Sequence, residues 1–206
     1  MKKIRVVIAD DHAIVRTGLT ALFGAERDIE VVGQARNGRD VIRLARDTQP
    51  DVVIMDLRMP EQDGATATAE LQTCLPATRV LILTSFGEAD GVAHALEAGA
   101  AGAITKTTED TELVSVVRRI AAGETFISAE IQRLLKETPP VPKLTPRQHE
   151  ILGYLVKGLT NREIAKILKI REDSVEEHLN LLLAKIDASN RTEAVAIALR
   201  KHLLKI

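Results

Sequence analysis

The sequence predicts a doubly wound α/β fold with a five-stranded parallel sheet, followed by a small all-α domain. Short apolar runs alternate with helical patterns through residues 1–125, the signature of repeated strand–helix units. The runs break off at polar side chains of reactive type, as parallel strands do where their carboxyl ends meet a ligand. Residues 144–206 hold no strand-like run and carry three helix-start signatures.

Val52-Val53-Ile54-Met55 is the central run, and it leads straight into Asp56. Continuous apolarity of this length means a strand buried on both faces. Asp56 therefore stands at the carboxyl edge of the sheet. In chain order, Ile4–Ala9 is the first strand and ends in Asp10-Asp11. A helix with Ile14, Leu19, Leu22 and Phe23 on its apolar side follows, and Asp11 also suits its cap. Val31-Val32 makes a short second strand, Asn37-Gly38 a turn, and Val41, Ile42, Leu44 and Ala45 a helix face. Gly64–Leu75 reads as a helix of small residues. Val80–Leu83 is the fourth strand, ending in Thr84-Ser85, and Ala89–Ala98 is helical up to Gly99. Gly102–Thr105 is the fifth strand, ending at Lys106. Leu113, Val116, Val117 and Ile120 stripe a last helix that stops at Gly123.

Right-handed crossovers place these strand ends on one edge. Asp10, Asp11, Asp56, Thr84 and Lys106 then meet there. Carboxylates gathered in one pocket repel one another and call for a divalent cation. Oxygen ligands suit Mg²⁺ far better than Zn²⁺, and Mg²⁺ favours a partner phosphate. Lys106 offers a phosphoryl group a point charge and Thr84 a hydroxyl donor. Asp56 is the candidate nucleophile, because a carboxylate can form an aspartyl-phosphate. No further base or nucleophile accompanies the acidic pocket, so an enzyme is not expected.

Charge and composition bound the partners. Residues 1–125 hold 14 basic and 19 acidic side chains, residues 144–206 hold 11 and 8. An acidic first part and a mildly basic second part suggest two domains with different partners. Cys74 is the only cysteine, which excludes a disulfide framework or a cysteine metal site. Aromatic residues make up 2% of the chain, too few for a single-strand stacking platform. No apolar run is long enough for a membrane span, and Asp10-Asp11 interrupts the start too early for a signal peptide. A cytoplasmic protein is expected.

Ala9-Asp10-Asp11-His12, Met55-Asp56-Leu57-Arg58-Met59-Pro60 with Asp63-Gly64, Leu83-Thr84-Ser85 and Thr105-Lys106 resemble the receiver domain of bacterial response regulators. The resemblance implies a flavodoxin-like receiver over residues 1–125, with Asp56 accepting phosphate from a sensor histidine kinase. It implies Mg²⁺ on Asp10 or Asp11, on Asp56 and on the backbone carbonyl of Arg58, with Thr84 and Lys106 as switch residues. Two positions depart from the pattern. Ala103 stands where receivers usually carry Tyr or Phe, which removes aromatic rotamer switching there, and Thr107 replaces a common proline. Arg58 and Phe86 flank the predicted site and are expected to shield the acyl phosphate from water.

Residues 126–143 read as a linker. Ser128 caps a short helix through about Lys136, and Thr138-Pro139-Pro140-Val141-Pro142-Lys143 makes a semi-rigid spacer. Beyond it lie three capping boxes: Thr145-Pro146-Arg147-Gln148, Thr160-Asn161-Arg162-Glu163 and Asn190-Arg191-Thr192-Glu193. Ser174–Ile186, with Val175, Leu179, Leu182, Leu183 and Ile186 at helical spacing, completes four helices. The short turn around Lys169-Ile170-Arg171 fits a helix-turn-helix, or equally a plain four-helix bundle.

Leu144-Thr145-Pro146-Arg147, Gly158-Leu159-Thr160-Asn161-Arg162-Glu163-Ile164-Ala165, Val175 with His178, Lys185, and Arg191-Thr192-Glu193-Ala194-Val195 look like the LuxR-type domain of the NarL/FixJ family. The resemblance implies a transcription regulator over residues 144–206. Ser174–Ile186 would be the recognition helix in the DNA major groove, and Arg191–Leu203 the dimerisation helix of an activated homodimer. That recognition helix is acidic. The family usually has a small capping residue at Arg171, Lys at Glu176 and Asn at Leu181. Glu176, Glu177 and Asn180 point toward the groove, where Glu reads cytosine, with His178 at a family position. Lys166, Lys169, Arg171, Lys185 and Arg191 supply phosphate contacts from the flanks. Two alternatives stand beside DNA binding: a helix-turn-helix whose acidic face binds protein, or a receiver that acts as a phosphate sink.

Overall fold

The computed structural model describes residues 3–85, 88–137, 144–200 and 203–204. The Pro-rich spacer over 138–143, Phe86, and the expected end of the last helix at Leu203 through residues 201–202 lie outside or across the limits of these described residues. The chain divides into two compact units, residues 1–140 and 141–206.

In the first unit the strands are β1 (Ile4–Ala9), β2 (Ile29–Ala35), β3 (Val52–Met55), β4 (Arg79–Thr84), β5 (Gly102–Thr105) and β6 (Phe126–Ile127). They form one parallel sheet in the order β2-β1-β3-β4-β5-β6. The helices are α1 (Ala13–Gly24), α2 (Gly38–Thr48), α3 (Gly64–Cys74), α4 (Ala89–Glu97), α5 (Asp110–Ala121) and α6 (Ala129–Glu137). Alternation along each strand feeds two cores. Val6, Ile8, Val52, Ile54, Leu81, Leu83 and Ile104 face α1 and α5, packing on Phe23, Val117 and Ile120. Val7, Ala9, Val53, Met55, Val80, Ile82 and Ala103 face the other helices, among them Leu71, Val92 and Ile131. All of β3 is buried, as its unbroken apolarity requires.

Four expectations change. The sheet has six strands rather than five, because Phe126-Ile127 pairs with Gly102-Ala103 of β5. Residues 126–137 accordingly pack within the first unit rather than standing between units. Ile131 is fully buried and Leu134 nearly so, both in the core against α4 and β5. The second strand runs over seven residues rather than two, its polar positions tolerated because β2 is a sheet edge. Ile14 is 88% exposed, so it belongs to the surface of α1, not to its core side. Ser128 caps α6 as expected, accepting from the Ile131 amide at 3.3 Å.

In the second unit the described residues form four helices: α7 (Pro146–Val156), α8 (Asn161–Leu168), α9 (Glu172–Lys185) and α10 (Arg191–Arg200). Both early capping boxes form with reciprocal bonds, Thr145 with Gln148 and Thr160 with Glu163. The third forms differently. Asn190 accepts from the Glu193 amide at 2.9 Å, but the Glu193 carboxylate takes the Ser189 amide at 2.7 Å. The helix expected from Ser174 starts two residues earlier, at Glu172. Glu172 and Asp173 sit in its first turn, where acids complement the helix dipole. Val175, Leu179, Leu182 and Ile186 are buried with Ile151, Leu155, Ile164 and Ala194.

Candidate functional site

Sheet register assembles the site of the first unit. Ala9 pairs with Met55, so Asp10 and Asp56 leave neighbouring strands side by side. The Asp56 amide donates to the Ala9 carbonyl at 2.8 Å, extending that ladder by one bond. Thr84 pairs with Thr105, and the Lys106 amide donates to the Thr84 carbonyl at 2.8 Å. In the order β2-β1-β3 successive strands are added on opposite sides of β1, which makes the β1/β3 edge the switch point where open α/β sheets bind ligands.

The side chains converge there. Lys106 Nζ lies 2.7 Å from Asp10 Oδ2 and 3.0 Å from Asp56 Oδ2. Asp10 is 2% exposed and Asp56 4%, while Asp11 is open to solvent. Ligand atoms of Asp10, Asp11, His12 and Asp56 lie within 4.8 Å of one another. Burial pushes the Asp56 carboxyl above its ordinary value. Lys106 opposes the shift, and the charges of Asp10 and Glu88 add to it. Burial disfavours the Lys106 ammonium, but its bonds to Asp10 and Asp56 outweigh this and raise its value. Asp11 does not cap α1: His12 is the N-cap residue, and it makes no side-chain cap bond.

Arg16, Glu88 and Glu130 join the site with no signal in the sequence. Arg16 is buried in α1 and donates to the carbonyls of Asp10 (2.7 Å) and Asp11 (3.1 Å), holding the acidic loop in place. His12 Nδ1 lies 2.7 Å from Asp11 Oδ1 and 3.1 Å from Asp10 Oδ1. Glu88 accepts the Thr84 hydroxyl on one oxygen and pairs with Arg58 Nε through the other. The Arg58 side chain is 70% exposed, so it lies along the mouth of the pocket rather than deep within it. Thr105 donates its hydroxyl to Glu130 of α6 at 2.9 Å. A Cβ on Gly64 would come within 2.2 Å of the Asp56 carbonyl oxygen, so glycine lets α3 start against the loop after β3.

In the second unit α8, the turn Lys169–Arg171 and α9 form the helix-turn-helix. Lys169 takes the left-handed conformation at the end of α8 (φ 53°), and the Ile170 amide bonds Ala165 O at 3.1 Å. On α9, Glu176, Glu177, Asn180 and Leu181 are exposed, and His178 and Lys185 half-buried. Leu181, where the related pattern has Asn, is 56% exposed. Lys166 and Lys169 are exposed, whereas two of the flanking cations have partners within the unit. Arg171 pairs with Asp173 at 2.8 Å. Arg191 donates to the Leu159 carbonyl and to Asn161 Oδ1, pinning the start of α8 to α10.

Comparison with known proteins agrees with this arrangement. Residues 6–118 match the response regulator receiver domain, and residues 142–198 match the bacterial regulatory proteins of the luxR family. The response regulator protein VraR of Staphylococcus epidermidis is 36% identical over 207 residues, covering 98% of this chain and 99% of VraR. VraR of Staphylococcus aureus matches to the same extent. The crystal structure of response regulator ChrA of a heme-sensing two-component system superposes with a TM-score of 0.61 at 33% identity, covering 99% of this chain and all of ChrA. The response regulator RcsB, solved in complex with DNA, shares the fold at a TM-score of 0.66 and 24% identity, over 97% of this chain and 99% of RcsB. Among the described residues no helix is long and apolar enough to cross a membrane. The match over the second unit favours a transcription regulator over a protein-binding remnant or a phosphate sink, and the chain belongs to the response regulators that join a receiver domain to a LuxR-type DNA-binding domain.

Proposed function

We propose that this protein acts in the cytoplasm, where a sensor histidine kinase phosphorylates it on Asp56, and that phosphorylation controls DNA binding by residues 144–206 as a homodimer. The observation that carries the reading is Asp56 at the switch point, 3.0 Å from Lys106 and clustered with Asp10 and Asp11. The Asp56 oxygen attacks phosphorus, the new P–O bond forms, and the P–N bond to the kinase imidazole breaks with its electron pair leaving on nitrogen. Lys106 then offers its charge to a phosphoryl oxygen, and Thr84 its hydroxyl. Asp10, Asp11, Asp56 and the carbonyl of Arg58 form an oxygen donor set suited to Mg²⁺, which when bound neutralises charge on the transferring phosphoryl group. Arg16 keeps the acidic loop in position for this.

On the DNA side, Glu176, Glu177 and Asn180 would face the groove, with His178 beside them. Lys166, Lys169 and Lys185 would carry the phosphate contacts, with smaller shares from Arg171 and Arg191, whose guanidinium groups already have protein partners. Intact-mass analysis after incubation with phosphoramidate and Mg²⁺ tests the first half. One phosphoryl group is expected, lost in Asp56→Asn. Selection of genomic fragments with and without beryllofluoride tests the second. Binding is expected with a shallow salt slope, about −3 per protomer for three phosphate contacts. No enriched fragment, or enrichment indifferent to Asp56→Asn, would refute the coupling.

A further inference from the structure

Thr84 is not idle in the resting site. Its hydroxyl donates to Glu88, the residue just before α4. A hydroxyl has one proton to donate. While Glu88 holds that proton, a phosphoryl oxygen on Asp56 cannot. The Glu88 side chain is 8% exposed, with its second oxygen on Arg58. A buried carboxylate needs such partners, and these two supply them. Its charge also acts on Asp56, adding to the repulsion from Asp10. A phosphoryl group brings further negative charge to the same spot, so coexistence with Glu88 on one hydroxyl is unfavourable.

Glu88 has another place to go. It is the N-cap residue of α4, yet it makes no side-chain bond to the first-turn amides of that helix. A carboxylate near this end of a helix complements the dipole, and the first-turn amides have no intrahelical acceptor. Here the carboxylate turns away from its own helix toward Thr84.

We propose that Glu88 is a resting-state occupant of the phosphoryl seat, holding the Thr84 hydroxyl until a phosphoryl group on Asp56 displaces it onto the amino terminus of α4. The inference rests on Asp56 as phosphoacceptor. Glu88 thereby sets how readily the site accepts its group and ties that event to the first turn of α4. Arg58, released from Glu88, becomes available to the phosphoryl oxygens.

Beryllofluoride affinity in the presence of Mg²⁺, measured on the full chain, tests this. Glu88→Gln keeps the length and removes the charge, and Glu88→Ala removes the group. Each is compared in the native and in the Thr84→Ala background. Both variants are expected to bind about tenfold tighter in the native background, the worth of roughly one charge-assisted hydrogen bond. In the Thr84→Ala background the gain should shrink to under about twofold, since the contested proton is gone. Hydrogen exchange should show beryllofluoride protecting the Gly91 amide in the native chain and not in Glu88→Ala. Unchanged or weaker binding in both Glu88 variants overturns the proposal. So does an equal gain without Thr84, which would assign the effect to charge at a distance. If the native chain and Asp56→Asn bind beryllofluoride equally, the phosphoacceptor reading itself fails, and this inference with it.

Discussion

Lys106 is the cation on which the acidic pocket depends, and replacing it with Met should show how much. Its Nζ sits 2.7 Å from Asp10 and 3.0 Å from Asp56, both nearly inaccessible to water. Removing one partner of a buried ion pair costs about 3–5 kcal/mol. The Lys106 side chain is 20% exposed, so solvent screens part of the interaction, and about 2–3 kcal/mol is the reasonable loss at neutral pH. For a domain of this size that is roughly 5–10 °C in Tm. The loss has a pH signature. The Asp56 carboxyl already titrates above its ordinary value of 3.8, and without Lys106 only raising influences remain: burial, Asp10 and Glu88. A carboxyl with a raised folded-state value destabilises the fold where it is ionised, and the penalty is relieved as pH falls through that value. The gap between native chain and Lys106→Met should therefore narrow as pH drops from neutral toward 3.8. It should narrow at the alkaline end too, because a lysine with a raised value contributes in full below 10.5 and is lost as pH rises through its folded-state value. Urea unfolding followed by far-ultraviolet circular dichroism across this range measures the gap. A gap independent of pH, or a variant more stable than the native chain at neutral pH, would refute the reasoning.

Further expectations concern the frame around the site. Ile131→Ala, which empties a fully buried position on α6, should cost about 2–5 kcal/mol in urea unfolding, and a loss under about 1 kcal/mol would mean that α6 is not part of the core. Gly64→Ala forces a methyl group against the Asp56 carbonyl, and the phosphorylation rate with phosphoramidate should fall about tenfold through displacement of the acceptor; an unchanged rate would show that the backbone yields elsewhere. Arg118 donates to Asp28 and Glu26 and holds the Asp28 carboxyl below 3.8. Its contribution should be present above 3.8 and vanish as pH falls through the lowered Asp28 value, so the urea midpoints of Arg118→Ala and the native chain should converge in acid.

The parts of the site legible in the sequence are those that follow directly from strand ends. Asp10, Asp56 and Lys106 each follow directly on the last residue of a strand, and Thr84 is the last residue of its own, so parallel pairing in register brings them together. The starts of α7, α8 and α10 were equally legible, because a capping box is chemistry written at fixed spacing. What stayed hidden has no period. Phe126-Ile127 is too short for alternation to show, and it becomes a strand only because β5 presents an open edge. Arg16 and Glu88 are single polar residues whose partners lie across a loop or on another element. Ile14 reads as core by type and spacing, and only the orientation of α1 against the sheet turns it outward. The start of α9 was misplaced because Ser174 is the better cap by type, whereas the acids before it gain from lying inside the first turn.

The same geometry bears on how an event at Asp56 travels without an aromatic switch at Ala103. The hydroxyls at the ends of β4 and β5 are each tied to a glutamate. Thr84 is bonded to Glu88 at the start of α4, and Thr105 to Glu130 in the first turn of α6. Both helices pack on the same core, with Val92 and Ile131 in one cluster. A phosphoryl group shifts a two-state balance only by the difference between the contacts it gains and those it breaks. At Lys106 that difference is small, because the ammonium already holds two carboxylates and would exchange partners. At Thr84 it is larger, because a buried glutamate must leave. On the proposed displacement of Glu88, the energy for switching would be concentrated at β4 and α4, and would reach α6 through the core it shares with α4 rather than through a side-chain rotation on β5.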